Sequence, residues 1–161
     1  MTLKIELGMR KGFDYPPHEA LLSIYYTASR ARKKAGEFFR LRGLTDVQFN
    51  VISLLKHQSG DVGGLTQVEL SRMMLVNRAN ITTLIDRMEK ADLVVRKPVP
   101  DDRRYNIVEL TEHGEKMYSD IAGVYRGKIS EIMSVLDDAE LDQLVSIMEK
   151  IRINLDQVGV E

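Results

Sequence analysis

The spacing of apolar positions predicts a chain built mostly from helices. In residues 78–91 the apolar side chains Ile81, Leu84, Ile85 and Met88 recur at i, i+3, i+4 and i+7, which places them on one face of a helix. Helix-start signals along the chain predict further helices at about residues 18–42, 46–59, 67–74, 112–135 and 138–157.

Five of these helices begin after residues whose side chains can accept hydrogen bonds from the first helical turn. Thr45, Thr66 and Asp137 each precede Gln or Glu by three positions, the spacing at which two side chains satisfy free amides reciprocally. Asn77 and Thr111 fit the simpler pattern of a single capping side chain. The helix starts are therefore marked by more than the apolar period.

Between the fourth and fifth of the main segments the pattern changes to that of strands. Residues 93–98 and 105–110 are rich in β-branched side chains, and Val108 and Leu110 alternate with Glu109 as in a half-buried strand. These segments predict a two-stranded ribbon. The segment DVGG before the third main helix predicts a turn.

The loop that joins the two strands carries two acids followed by two arginines, in the sequence VPDDRR at 99–104. Pro98 and Pro100 lack amide hydrogens, so we expect them to disfavour further pairing and to stiffen the approach to the loop. An arginine at such a tip suits a narrow DNA minor groove, whose negative potential attracts it.

Composition limits the class of protein. The chain has 161 residues, 43% hydrophobic and 29% charged, which fits one compact domain or a small domain whose helices pack on a second copy. It has no apolar run long enough to span a membrane and no signal peptide at its N-terminus, so we expect a cytoplasmic protein. Because there is no cysteine, disulfides and thiolate metal sites are excluded.

Nothing in the sequence indicates catalysis or a bound metal. His18, His57 and His113 are far apart and match no metal-binding spacing, and no glycine-rich phosphate loop or nucleophile motif occurs. We therefore expect no enzyme activity and no cofactor.

The net charge of −1 conceals an uneven distribution. Residues 1–104 carry 18 Lys and Arg against 12 Asp and Glu, whereas residues 105–161 carry 5 against 12. Electrostatic attraction is local at physiological salt, so a basic body of this kind is compatible with binding to phosphates.

Residues 66–91 have the layout of a helix-turn-helix: a short helix, a tight connection and a longer helix. The face of the second helix opposite its apolar stripe is small and polar, and such side chains can hydrogen-bond to base edges in a major groove. The candidate DNA-contacting residues are Asn77, Arg78, Asn80, Thr82, Thr83 and Arg87. Any surface helix has a polar face, and the ribbon that follows is what favours a winged helix.

These segments together resemble the MarR-type (multiple antibiotic resistance regulator) winged-helix transcription factors. Asp102-Arg103-Arg104, five further residues and then Leu110-Thr111 match the D-x-R-x-x-x-x-x-L-T signature of that family, and EHG follows as the start of the next helix. LTDVQFNVISLL resembles the family's second helix, and residues 65–96 resemble its helix-turn-helix and first wing strand.

The resemblance implies a mainly α fold with a small β-ribbon, in which a winged helix-turn-helix is combined with long dimerisation helices. It assigns residues 1–44 to an N-terminal arm and first dimerisation helix, 45–110 to the DNA-binding region and 111–161 to the C-terminal dimerisation helices. It further implies that Arg104 enters the minor groove, Asp102 orients the wing arginines, and Arg103 contacts phosphate or pairs within the wing. Where the family often has glycine after the recognition helix, this chain has Asp92.

Other features have two interpretations. The apolar stripes of the last two helices fit either an intramolecular core or, as we favour, a homodimer interface. The segment RARKK at 30–34 fits either a phosphate contact or a solvated helix face, which we favour. The resemblance also implies a small aromatic or anionic effector, for which the candidate residues are Tyr25, Tyr26, Arg30, Phe38, Phe39 and His57; these aromatic side chains would otherwise be core residues.

The sequence thus predicts a transcriptional regulator that binds a pseudo-palindromic site in double-stranded DNA as a homodimer. We expect it to be a repressor whose affinity for DNA is lowered by a ligand. The alternatives are a winged helix that binds protein and a nonspecific architectural DNA binder.

Overall fold

The computed structural model describes residues 2–60, 63–75, 77–99 and 102–159, with the side chains of residues 78, 99 and 102–105 outside that description. Its helices are α1 Leu3–Glu6, α2 Pro16–Arg40, α3 Asp46–Gln58, α4 Gln67–Met73, α5 Arg78–Lys90, α6 Glu112–Met133 and α7 Asp138–Leu155. Its strands are β1 Leu65–Thr66, β2 Val94–Val99 and β3 Asp102–Leu110. The expected fold, mainly α with a small β-ribbon, is confirmed.

The predicted capping residues account for where the helices begin. Thr45 Oγ1 accepts from the Gln48 amide at 3.1 Å, and the Gln48 side chain accepts from the Thr45 amide at 2.9 Å. The same reciprocal pair occurs at the starts of α4 and α7. Because both bonds satisfy amides that have no partner within the helix, these starts are fixed by local sequence.

The N-terminal segment differs from the prediction. Helix α2 begins two residues earlier than expected, with Pro16 and Pro17 in its first turn, where a missing amide hydrogen costs no helical hydrogen bond. The short helix α1 was not predicted. It is joined to α2 by an ion pair between Glu6 and Arg30, with a distance of 2.6 Å from Oε2 to Nη1.

The predicted two-stranded ribbon is confirmed as β2 paired with β3, but the additional strand β1 was not predicted, and the sheet has the order β1-β3-β2. Strand β1 pairs antiparallel with β3, placing Leu65 opposite Val108 and Thr66 opposite Ile107. The residue before β1 must be small: a Cβ on Gly64 would lie 2.7 Å from the carbonyl oxygen of Val108. Glycine at this position therefore permits the close approach that completes the sheet.

Pairing between β2 and β3 continues past Pro98, which the sequence had suggested would disfavour it. Pro98 lies opposite Asn106, and the register then shifts so that Val99 lies opposite Asp102. Residues 103–105 are thus the extra residues of an irregularity on β3 at the loop end of the ribbon.

The core of the winged helix lies between α3, α4, α5 and the sheet. Ile81, Ile85 and Met88 of α5 are fully buried, which confirms three of the four positions of the predicted stripe, whereas Leu84 is partly exposed. The other fully buried side chains here are Val51, Ile52, Leu70, Val94 and Val108. Burial of one face of α5 fixes which residues are left on its outer face.

The chain divides into two compact units, residues 1–118 and 119–161. In the second unit α7 has no buried residue, and large apolar side chains are exposed along both helices. They include Val124, Ile129, Ile132, Val145, Ile153 and Leu155. Within the described ranges, no helix combines the length and the apolar character needed to cross a bilayer.

Candidate nucleic-acid interface

The connection between α4 and α5 has a fixed geometry at both ends. Helix α4 begins at Thr66, whose amide donates to Glu69 Oε2 at 2.8 Å. This backbone hydrogen bond, with a second one from the Thr66 hydroxyl, holds the pKa of Glu69 below its ordinary value. At the other end Leu75 adopts a left-handed φ of 52° and its side chain is 93% exposed. A left-handed leucine costs about 1–2 kcal/mol, so the tight turn is imposed by the packing of the helices on either side.

Three of the predicted recognition residues have structural partners. Asn77 caps α5, its Oδ1 accepting from the Asn80 amide at 2.9 Å. The Thr82 hydroxyl donates to Gln67 Oε1 at 2.9 Å and so links α5 to the first residue of α4. The Thr83 hydroxyl donates to the carbonyl of Ala79 at 3.1 Å, which leaves its methyl group for an external contact.

The outer face of α5 is solvent-accessible and polar. The side chains of Asn80, Thr83, Arg87 and Lys90 are all exposed on it. Arg78 lies in the first turn of the same helix, but its side chain belongs to the undescribed part. This face combines amide, methyl and guanidinium groups of the types that read base edges.

Arg96, which was not predicted to have a role in the site, joins α5 to the wing. Arg96 of β2 lies beside α5, and its Nη2 is 2.6 Å from Asp86 Oδ1 while its Nη1 pairs with Glu89. The Arg96 amide also donates to Glu89 Oε1 at 2.9 Å, and its Nη2 lies 3.5 Å from the carbonyl oxygen of Thr82. The signal available in the sequence was a basic residue in a strand after a helix with two acids three positions apart.

The wing itself is an antiparallel ribbon with a cross-strand ion pair. Lys97 Nζ lies 2.5 Å from Glu109 Oε2, between residues that are diagonal neighbours in the register. Asp102, Arg103 and Arg104 lie in β3 at the loop end, and their side chains are outside the described part of the chain. Their roles therefore stay predictions.

The turn from α5 into the wing is closed by a left-handed Asp92 with φ of 55°. The Leu93 amide donates to the Met88 carbonyl and the Asp92 amide to the Glu89 carbonyl, both at 2.9 Å, which is a Schellman motif. The conformation in which glycine is commonest is thus kept by aspartate, which tolerates it better than most residues.

Thr111 joins this turn to α6. Its hydroxyl donates to the Asp92 carbonyl at 2.5 Å and accepts from the Gly114 amide at 3.0 Å, so it caps α6 as predicted. Gly114 packs directly on the turn, since a Cβ there would lie 2.1 Å from the carbonyl oxygen of Leu93. The threonine and glycine of the LTEHG segment therefore position the wing relative to the start of α6.

The candidate effector residues make two sets of contacts. In the first, the Arg30 guanidinium lies 5.8 Å from the Tyr26 ring centroid and is paired with Glu6, while Tyr25 is 61% exposed. In the second, Phe38 and Phe39 make an edge contact at 5.1 Å, and His57 Nε2 lies 2.5 Å from the hydroxyl of Tyr118.

Phe39 is 1% exposed and its ring stacks on Phe49 at 4.6 Å, which is the packing of a core residue. Phe49 in turn lies 6.1 Å from the ring of Tyr118. The structure thus brings Phe38, Phe39 and His57 into one aromatic row. Among the residues described, no three His, Asp or Glu side chains lie close enough together to hold a metal ion.

Comparison with known proteins shows what this chain is similar to. A model of the MarR family matches residues 42–104, which include α3, α4, α5 and β2. The chain is 27% identical over 143 residues to the HTH-type transcriptional regulator MhqR of Bacillus subtilis, covering 86% of this chain and 96% of that one. It is 26% identical over 147 residues to the transcriptional repressor MprA of Escherichia coli, covering 90% and 82%.

Solved structures agree on the fold. A mutant of MarR from Escherichia coli, complexed with operator DNA, superposes with a TM-score of 0.74 at 21% identity, covering 87% of this chain and 99% of that chain. The relatives are named as regulators and not as enzymes. With the winged helix, its capped wing junction and the near full-length matches taken together, the chain is similar to the MarR family of transcriptional regulators, and the family model matches it over residues 42–104.

Proposed function

We propose that the chain is a sequence-specific DNA-binding regulator that acts as a homodimer, with α5 as its recognition helix. The observation that carries the proposal is the polar outer face of α5, exposed at Asn80, Thr83 and Arg87 while the opposite face is buried. A helix of this kind fits a major groove. A protein partner is less favoured, because the described side chains on that face include no large apolar group.

The contacts divide the candidate residues into two roles. Arg87, Asn80 and the Thr83 methyl are placed to meet bases or phosphates, and Arg78 in the first turn is proposed to join them. Asn77 and Thr82 use their side-chain oxygens within the protein, so we assign them to holding α5 in position. This assignment reduces the six sequence candidates on α5 to four direct readers.

In the wing we propose that Arg104 enters the adjacent minor groove, that Asp102 restrains the arginines and that Arg103 contacts phosphate. The irregularity at residues 103–105 supports this, because it interrupts regular pairing at the loop end where the arginines lie. The Schellman turn and Thr111 support the wing from the other end.

A second copy of the chain is proposed to cover the apolar helices. Within residues 119–161, Val145 is 63% exposed and Ile132 is 57% exposed, and soluble proteins rarely leave many such side chains in water. Two copies would present two recognition helices to a pseudo-palindromic operator, about one helical turn apart. Repression follows if the occupied operator overlaps a promoter, and the relative MprA is named as a repressor.

A small aromatic or anionic effector is proposed to lower operator affinity, with the aromatic row and the Tyr26–Arg30 group as its candidate contacts. Arg30 is already paired with Glu6, so an anion there would have to compete with that carboxylate. The effector can shift binding only by its differential affinity for the two forms of the dimer. Titration with simple aromatic carboxylates, read as loss of DNA binding, tests this part separately.

The principal experiment selects genomic fragments with the purified full-length protein and measures binding to the enriched fragment against random competitor at fixed salt. The proposal predicts a preference of at least about 10³-fold for the selected site. Equal binding to both DNAs would support a nonspecific architectural role. Absence of binding to either would favour a protein-interaction module and would overturn the proposal.

A further inference from the structure

Two carboxylates lie on the recognition helix, close to the face proposed to meet DNA. Asp86 is 53% exposed by side chain and Glu89 is 33% exposed, and both point toward the wing side of α5. Unpaired, each would repel phosphates across distances up to the Debye length, about 8 Å at physiological salt. A helix that binds DNA therefore needs these charges neutralised.

We propose that Arg96 is a positioning residue that allows α5 to bind DNA. It acts as the counter-ion of Asp86 and Glu89, and it links α5 to the wing. The inference rests on the proposed function of α5. It assigns a role to a residue that does not itself need to touch DNA.

The geometry supports both parts of this role. One guanidinium meets two carboxylates, with Nη2 to Asp86 Oδ1 at 2.6 Å and Nη1 to Glu89. The Arg96 amide donates to the same Glu89 carboxylate at 2.9 Å, so the strand backbone is bonded to the helix as well. Arg96 is only 19% exposed by side chain, the lowest exposure of any residue in the ion pairs of the described chain.

The arrangement differs from an ordinary surface ion pair. Exposed pairs contribute little, because water screens them and both side chains lose freedom. Here a planar guanidinium bridges two acceptors, a geometry that lysine cannot reproduce. Removing Arg96 would leave two acids without their shared partner. We expect this change to weaken phosphate binding and to alter the orientation of α5.

The neighbouring residue provides a matched control. Lys97 is also in β2 and also pairs with one glutamate, Glu109, but its side chain is 57% exposed and its pair joins only the two wing strands. Lys97→Ala removes the same formal charge from the same strand without uncovering an acid on α5. The two variants therefore separate loss of a general positive charge from loss of the proposed counter-ion.

The experiment compares operator affinity and specificity for the wild type, Arg96→Ala, Lys97→Ala, and Arg96→Ala combined with Asp86→Asn, all as full-length protein. Arg96→Ala is expected to weaken operator binding about 10-fold or more, equivalent to about 1.4 kcal/mol. Lys97→Ala is expected to have a clearly smaller effect. Adding Asp86→Asn should recover part of the lost affinity, because it removes the uncovered charge.

If Arg96 had only a structural role, its loss would lower stability and adding Asp86→Asn would not recover operator affinity. The double variant therefore distinguishes a structural role from the proposed counter-ion role. Equal losses for Arg96→Ala and Lys97→Ala, or a further loss on adding Asp86→Asn, would overturn the role of Arg96 while leaving the proposed function intact. If Arg96→Ala does not fold, Arg96→Lys replaces it, with the expectation that discrimination between operator and random DNA falls while nonspecific affinity is kept. Failure of the wild type to prefer any operator would overturn both proposals.

Discussion

Gly114→Ala is the substitution whose cost follows most directly from the structure. A Cβ at position 114 would lie 2.1 Å from the carbonyl oxygen of Leu93 and 3.2 Å from Cδ2 of Leu110. That carbonyl also accepts the Thr111 amide at 3.2 Å, so it is fixed by the junction that joins the wing to α6. Relief of the clash requires α6 and the turn to separate by roughly 1.4 Å, since nonbonded heavy atoms are comfortable only near 3.5 Å.

The expected magnitude combines two opposing terms. Overpacking of a well-packed site costs about 1–3 kcal/mol and occasionally more. Alanine is favoured over glycine in a helix by about 0.5–1 kcal/mol, which offsets part of that cost. The obstructing atom belongs to the backbone and cannot change rotamer. We therefore expect the free energy of unfolding to fall by at least about 1 kcal/mol. Each kcal/mol lost lowers the melting midpoint by roughly 2–4 °C.

Urea and thermal unfolding at one fixed protein concentration measure this change, with concentration held constant because assembly alters apparent stability. Gly123→Ala in the same helix is the matched control. Gly123 is exposed, and beyond its own stretch of helix no atom of the described residues is within 4 Å of a Cβ built there. The control should gain about 0.5–1 kcal/mol. Equal or improved stability of Gly114→Ala would refute the close packing of α6 on the wing junction.

Four further changes have definite expected outcomes. Asn77→Ala should lower the free energy of unfolding by about 1 kcal/mol in urea, since it removes the α5 cap, whereas Asn77→Ser should retain both stability and DNA binding. Arg104→Ala should weaken operator binding and reduce the slope of log affinity against log salt by about 1; unchanged affinity at low and high salt would contradict the wing assignment. Hydrogen bonds from Thr66 lower the pKa of Glu69, so its carboxylate stabilises the fold above the ordinary value of 4.5 and this contribution is lost as pH falls through the lowered pKa. The stability of Glu69→Gln should therefore fall less on acidification than that of the wild type. Val145→Asp should shift the protein toward monomer in sedimentation experiments, and an unchanged mass would argue against the proposed interface.

The helical part of the fold could be predicted because its determinants are local. Capping side chains act within three residues, and the buried stripe of α5 is encoded by spacing within one helix. The predictions at Thr45, Thr66 and Asp137 were confirmed for this reason. The left-handed turn at Asp92 is local in the same sense, since its backbone requirement is met by a single residue.

The features that were missed depend on contacts between elements. Strand β1 has two residues, too few for an alternating pattern, and it exists because Gly64 allows close approach to β3. Arg96 sits ten residues from Asp86, and only the folded turn between α5 and β2 brings them together. Thr111 and Gly114 are part of the sequence motif, but the sequence alone does not explain why these residue types are needed. The packing of α6 on the turn explains it.

The sequence predicted where the polar surface of α5 lies, but it did not predict which of its side chains bond within the protein. The polar face of α5 is where the sequence placed it, yet Asn77 and Thr82 bond within the protein. Side-chain oxygens that are suitable for base contacts are equally suitable for capping and for linking helices, and composition alone cannot separate these uses. Roles for Arg78, Asp102, Arg103 and Arg104 stay predictions.

Hydroxyl-radical footprinting of the full-length protein on its selected genomic fragment tests the central claim most directly. Two recognition helices in one dimer predict two protected half-sites centred about one helical turn, roughly 34 Å, apart on one face of the duplex, with protected minor grooves beside them. Protection should disappear from both half-sites together when the dimer is disrupted. A single isolated footprint, or uniform protection without boundaries, would contradict the account of a dimeric, sequence-specific regulator.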